Sequence, residues 1–361
     1  MKYGITFLLL VLLTSTLPAQ KRNTVVSILK DEFYINGQPT YKDRHWLGHK
    51  IQGLLMNSRM VQGIFDDLNP KTRELFVYPD TKRWDPDRNT REFVNAMSEW
   101  YSYGLNSFTI NLQGGSPVGY GNQKDWHNSA FFEDGSLRRE FMGRLEKILD
   151  KADELHMVVM LGLFYFGQDQ NLRDEQAIKN GVKNAIDWLF QKGYRNVVIE
   201  VNNECDIQQY DHDILKPDRV HELIDMVKSM KKKGYRYLVS TSYSGGFVPM
   251  PNVVKTSDFI IIHGNGVKTY EAMQALIENT RNVEGYRSMP VVVNEDDHFD
   301  FDKEKNNFVA AVEKYVSWGY FDYRKEGEDF SVGYQTVPVD WGIHSDRKKA
   351  FFNKVKEITG K

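Results

Sequence analysis

The chain has 361 residues, 41% hydrophobic and 13% aromatic, enough to bury one large core of about 250 to 300 residues or two smaller ones, and this excludes a disordered chain. Lys+Arg 47 against Asp+Glu 49 leaves a net charge of -2 with no single-sign tail, so the basic footprint of a nucleic-acid or anionic-membrane binder is missing. Small, neutral or amphipathic ligands fit this balance better.

The first twenty residues, "MKYGITFLLLVLLTSTLPAQ", carry Lys2, an apolar run over residues 5–13 and small residues near Ala19. This is the layout of a secretory signal peptide over residues 1–20, cut at Ala19 or Gln20, and it predicts a secreted or periplasmic protein. No cysteine follows the cut, which argues against a lipid anchor. The only cysteine is Cys205, so residues 21–361 have no internal disulfide and are held by their core. No other stretch approaches the roughly 20 apolar residues of a membrane span.

"DEFYINGQPTY" then reads as a hairpin, with alternating residues on either side of Asn36-Gly37, a dipeptide that favours the tight two-residue turn. Eight strand-like segments follow, at residues 50–55, 105–112, 157–164, 197–201, 237–241, 259–263, 291–294 and 318–323. Amphipathic runs lie between them at residues 90–103, 137–155, 175–192, 218–233, 270–279 and 303–316, and Ser345 caps a last helix toward Thr359. The stretch between Tyr243 and Asp258, with Gly245, Gly246, Pro249 and Pro251, reads mostly as loop. The lysines of "KSMKKKGYR" read as the solvated end of a helix. Eight apolar strands each followed by a helix predict an α/β protein, a single (β/α)8 TIM barrel behind a short N-terminal β-hairpin. A doubly wound open sheet is the alternative, and the absence of a Gly-rich phosphate loop after the first strand weighs against it.

In such a barrel, ligands meet the ends of the strands. The fourth strand, in "VVIEVNNECD", spends its β-branched residues on burial and then ends in Asn202, Asn203 and Glu204. The sixth ends in His263 and Asn265, the seventh in Asn294, Glu295, Asp296, Asp297 and His298, and the third in Tyr165, Gln168 and Asp169. Residues 204 and 295 are 91 apart, close to three βα units of about 30 residues, which sets the two glutamates across the barrel mouth from each other. Two carboxylates there can divide glycoside cleavage, one protonating the departing oxygen and the other attacking or stabilising the anomeric carbon. The predicted catalytic residues are therefore Glu204 and Glu295.

With "VNNE" ending the fourth strand, "VVNE" the seventh, "IIHGNG" the sixth, and "FYINGQP" ahead of the barrel, the chain resembles the clan A retaining glycoside hydrolases, the superfamily that includes cellulases and mannanases. The resemblance implies Glu204 as acid/base, Asn203 as the partner of a sugar 2-hydroxyl, Glu295 as nucleophile and His263 beside the scissile bond. It also implies a retaining mechanism on oligo- or polysaccharides that needs no cofactor. The chain departs from the clan where an aromatic residue often follows the sixth-strand histidine, here Asn265, and where Asp296 follows the nucleophile. Arg59, ending the first strand, is the cation expected to offset those extra acids. Asn203, His263, Asn265, Arg59, His127, Trp126, Tyr165 and Trp318 are predicted to bind substrate, the aromatics as platforms for apolar sugar faces. Trp46, Trp84, Tyr120 and Trp341 are further platform candidates, and Asn128 shares the long polar loop after the second strand with His127.

Each of these residues also has a structural reading: Glu204 as a helix-capping acid, His263 as a satisfied core histidine, each tryptophan as packing, and Cys205 as a buried filler. Two other functions use the same sequence. A metal-dependent hydrolase would bind a divalent cation through Asp296, His298, Asp211 and His212, though no two histidines stand one helical turn apart. An exported sugar-binding barrel without catalysis has little reason to keep both glutamates. The sugar, endo or exo action and the oligomeric state are not written in these motifs.

Overall fold

The computed structural model describes residues 22–119 and 125–361; the expected signal segment and Tyr120 lie outside the described residues. The hairpin forms as expected: Glu32–Ile35 runs antiparallel to Gln38–Pro39 through a turn in which Asn36 and Gly37 both have positive φ, +52° and +76°. A further strand, Val26–Leu29, pairs with the other edge of Glu32–Ile35, so the hairpin is part of a three-stranded sheet.

Eight parallel strands alternate with eight α-helices among the described residues. The strands are β1 (Asn57–Ser58), β2 (Ser107–Asn111), β3 (Val158–Phe164), β4 (Val197–Asn202), β5 (Leu238–Ser240), β6 (Ile260–His263), β7 (Val291–Asp296) and β8 (Ser317–Tyr320). The helices are α1 (Pro86–Ser102), α2 (Arg139–Glu154), α3 (Glu175–Lys192), α4 (Val220–Ser229), α5 (Pro251–Thr256), α6 (Tyr270–Arg281), α7 (Asn307–Glu313) and α8 (Asp346–Thr359). Strands β2 to β5 pair in sequence order, and so do β6, β7, β8 and β1. A parallel bridge between Arg59 and Thr109 joins β1 to β2, and the Asp258 N–H donates to the Val239 carbonyl (3.0 Å) across the seam between β5 and β6. This is the strand order of a (β/α)8 barrel.

Side chains divide by parity. Val197, Ile199 and Val201 of β4 face the helices, while Val198 points inward and joins Val158, Met160, Ile261 and Val292 in the barrel floor, closed from below by Val26 and Phe33 of the N-terminal sheet. Five of the helices start where short polar side chains accept backbone N–H groups: Asp85 before α1, Asp174 before α3, Thr269 before α6, Asn306 before α7 and Ser345 before α8.

Three local expectations need correction. The first barrel strand is not residues 50–55 but Asn57–Ser58, because the earlier segment spends its backbone N–H groups on a loop, Ile51 on the Arg44 carbonyl and Gly53 on the Thr40 carbonyl. The stretch read as loop before Asp258 holds α5, started by Pro251 in the first turn where its missing N–H costs nothing. Helix α4 ends at Ser229, so Lys231, Lys232 and Lys233 lie exposed beyond it rather than in its last turn.

Candidate active site

Parity carries Val198 inward to Glu200, which meets Ser242 and Arg59. Asn202 leaves the alternation: on the helix side it accepts from Thr241 Oγ1 (2.7 Å) and donates to the Leu215 carbonyl (2.9 Å). The chain then turns at Glu204 with φ +51°, a left-handed conformation that non-glycine residues avoid. In β7 simple alternation would point Glu295 outward with Val291 and Val293. A register shift after Val293 inserts one extra residue: Val293 is opposite Trp318, yet Asp296 rather than Glu295 is opposite Tyr320. The bulge turns Glu295 into the barrel and Asp296 toward the helices, where it meets Trp318 Nε1 (3.0 Å), Asn307 Nδ2 (3.1 Å) and His298 Nδ1 (2.5 Å).

Glu204 and Glu295 thus meet over the barrel. With His263 they offer atoms that all lie within 4.8 Å of one another. His263, fully buried, places Nδ1 2.9 Å from Glu204 Oε1 and 3.6 Å from Glu295 Oε2. Both carboxylate oxygens of Glu295 are tethered, Oε2 by Arg59 Nε (2.6 Å) and Oε1 by Asn265 Nδ2 (3.0 Å). Arg59 also donates from Nη2 to Asn203 Oδ1 (2.7 Å). Burial raises the pKa of Glu204, with His263 opposing and Glu295 adding to the rise. Burial alone would lower His263, but the carboxylates of Glu295 and Glu204 hold it above its ordinary value. Burial and the charge of Glu204 push the Tyr165 phenol up, and its hydroxyl lies 3.2 Å from Ser116 Oγ.

Glu204, Glu295, Asn203, His263, Asn265, Arg59 and Tyr165 are therefore gathered at one site. Trp318 is not: it is fully buried, stacked on Phe308 of α7 at 4.6 Å between centroids, because its position in β8 faces the helix layer. Trp46, Trp84 and Trp341 spend their Nε1–H groups on Glu357, Asp66 and Asn89 and belong to the body of the protein. Trp126 and His127 line a shallow groove of about 490 Å³ with Leu68, Gln170 and Asn171, apart from the glutamates. Burial lowers the pKa of His127, and Arg138 lowers it further.

The four metal ligands suggested by sequence are not assembled. Asp296 and His298 cluster with Asp297, whereas Asp211 and His212 use backbone N–H and His212 Nδ1 (3.0 Å) to satisfy Asp169 in another loop. Among the described residues, the groups with metal-ligand spacing are Asp296, Asp297 and His298, and the Glu204, His263 and Glu295 trio itself. Two site residues, Glu200 and Ser242, escaped the reading of strand ends. Glu200 is fully buried inside β4, its Oε1 accepting from Ser242 Oγ (2.6 Å) and its Oε2 3.8 Å from Arg59 Nη1. The signal for Glu200 was its parity with the inward Val198 of β4.

No protein-family model matches the chain, and no curated protein matches it by sequence. Solved structures do. An endo-1,4-beta-mannanase from Rhizomucor miehei matches with 9% identity over 93% of this chain and 99% of its own, TM-score 0.57. The fold is the one they share. A glycoside hydrolase family 5 protein from Bacteroides vulgatus ATCC 8482 matches with 12% identity over 91% of this chain and 69% of its own, TM-score 0.55. A family 5 mannosidase from Rhizomucor miehei matches with 11% identity over 93% and 98%, TM-score 0.54. At these identities the likeness is one of architecture.

Proposed function

We propose that the chain is a glycoside hydrolase that cleaves O-glycosidic bonds in oligo- or polysaccharides with retention, through Glu204 and Glu295. The observation that carries this is the spacing of the pair: an oxygen of each lies within 4.8 Å of the other. Retaining enzymes hold their two carboxyl groups about 5 to 5.5 Å apart, whereas inverting enzymes leave about 6.5 to 9.5 Å for a water between them. Burial favours the protonated form of Glu204, as a general acid requires. Glu295 is held by Arg59 and Asn265, which aims its carboxylate. In the first step Glu204 gives its proton to the glycosidic oxygen as Glu295 attacks the anomeric carbon and the leaving group departs. In the second, Glu204 takes a proton from water, which attacks the same carbon and releases Glu295. The shared fold with mannan- and mannoside-cleaving proteins supports a carbohydrate substrate. The apolar run over residues 5–13 behind Lys2 supports export, to be read from the N-terminal residue of protein recovered outside the cytoplasm.

The test is a panel of plant, algal and microbial oligosaccharides, with wild type, Glu204→Ala and Glu295→Ala, following released sugar and its anomeric configuration by NMR. The expected result is one class cleaved with retention and a loss of about a hundredfold or more in both variants. An inverted first product, cleavage indifferent to both substitutions, or no cleavage at all would overturn the proposal.

A further inference from the structure

The turn at Glu204 is held from inside the barrel. Its N–H donates to Ser242 Oγ (2.9 Å), the N–H of Cys205 donates to the Ser242 carbonyl (2.9 Å), and its own carbonyl accepts from the Ile207 N–H (3.0 Å). These contacts flank a residue at φ +51°. Strain of this kind persists only where the surroundings impose it. Ser242 and Glu200 are both fully buried. A hydroxyl has one proton to give, and Ser242 gives it to Glu200 Oε1 (2.6 Å), which leaves an oxygen lone pair for the Glu204 N–H. Glu200 Oε2 in turn lies 3.5 Å from Asn294 Nδ2 and 3.8 Å from Arg59 Nη1, and Arg59 Nε holds Glu295. One buried chain of contacts thus runs from the backbone of one glutamate to the carboxylate of the other.

We propose that Ser242 and Glu200 are positioning residues for the acid/base: Glu200 orients the Ser242 hydroxyl, the hydroxyl fixes the left-handed turn, and the turn aims the Glu204 carboxyl at the departing oxygen. The inference rests on the glycoside-hydrolase reading of the site. It makes Ser242 act on proton donation and not on substrate binding or on nucleophilic attack.

Leaving-group dependence separates such a role from a merely structural one. Phenyl glycosides need the acid's proton, whereas 2,4-dinitrophenyl glycosides depart without it. With both aryl glycosides of the sugar the panel identifies, Ser242→Ala is expected to lower kcat/KM about tenfold or more on the phenyl compound and less than about threefold on the dinitrophenyl one. Ser242→Thr, which keeps the hydroxyl, is expected to restore the first rate to within about threefold of wild type. Should Ser242→Ala fail to fold, Ser242→Cys, which keeps the volume but offers the Glu204 N–H only a weak sulfur acceptor, is expected to show the same selective loss. Glu204→Gln is the internal standard. If that variant shows no leaving-group dependence, the acid/base reading fails. If it does, while the Ser242→Ala or Ser242→Cys variant loses both rates equally or neither, or Ser242→Thr fails to restore the phenyl rate, the positioning role is overturned.

Discussion

Lys348, in the first turn of α8, is fully buried. Its Nζ donates to the Asp340 carbonyl (2.5 Å) and lies 4.2 Å from the centroid of the Tyr334 ring, and among the described residues it is in no salt bridge. Burial lowers its pKa from 10.5 to about 7, against partial help from Asp340 and Asp322. Between those two values the unfolded chain holds a proton that the folded chain has given up. Stability therefore rises with pH through that window, and the penalty is complete below it. At ~1.4 kcal/mol per pH unit, the whole window is worth at most ~5 kcal/mol. From about pH 7 to about pH 9 the titration accounts for ~2 kcal/mol, because the folded lysine is still half protonated at the lower end. Lys348→Met keeps the alkyl stem and removes the titration. Urea unfolding of both proteins at those two pH values cancels every other titrating group. The expected result is that the free-energy difference moves toward wild type by ~2 kcal/mol at the higher pH. A difference that does not change with pH would show that the ammonium is not desolvated there.

Arg59→Met leaves Glu295 and Glu200 buried without their cation, and it is expected to cost ~3 to 5 kcal/mol in denaturant unfolding; a loss below ~1 kcal/mol would mean the pair is not held as described. Trp318→Phe removes the Asp296 partner and part of the packing on Phe308, so the unfolding midpoint is expected to fall while KM stays within about twofold. A raised KM with unchanged stability would return Trp318 to the substrate. Because burial raises the pKa of Glu204, the pH profile of kcat/KM is expected to be bell-shaped with an upper limb that Glu204→Gln abolishes; persistence of that limb assigns it to another group. Dialysis against a chelator is expected to leave the rate unchanged, since the mechanism uses only side chains, and loss restored by a divalent cation would move the Glu204, His263 and Glu295 trio to a metal-binding role.

Much of the architecture was legible because it follows from local rules. Asn36-Gly37 supplies its own turn, the β-branched runs at β4, β6 and β7 mark buried strands, and Ser345 marks the start of α8. A strand that turns polar at its end, in a repeat of βα units, was enough to put Glu204 and Glu295 on the same rim. The misreadings share a cause. Residues 50–55 are as apolar as a strand, but their hydrogen-bond partners are supplied by a loop. Asp211 and His212 resemble ligands, but Asp169 from another loop claims them.

What the sequence by itself determined is the alternation of elements and the chemical kinds of residue at the strand ends, because both depend on neighbours a few positions away. Which way those residues face was decided by the closed structure. The extra residue in β7 that turns Glu295 inward and Asp296 outward is visible only as a shift against β8. Trp318 is packing and not platform because its parity in β8 points to the helices. The meeting of Arg59 with Glu295, Asn203 and Glu200 brings together β1, β4 and β7. Register and closure are relations between segments far apart in the chain, and no local pattern of residues encodes them.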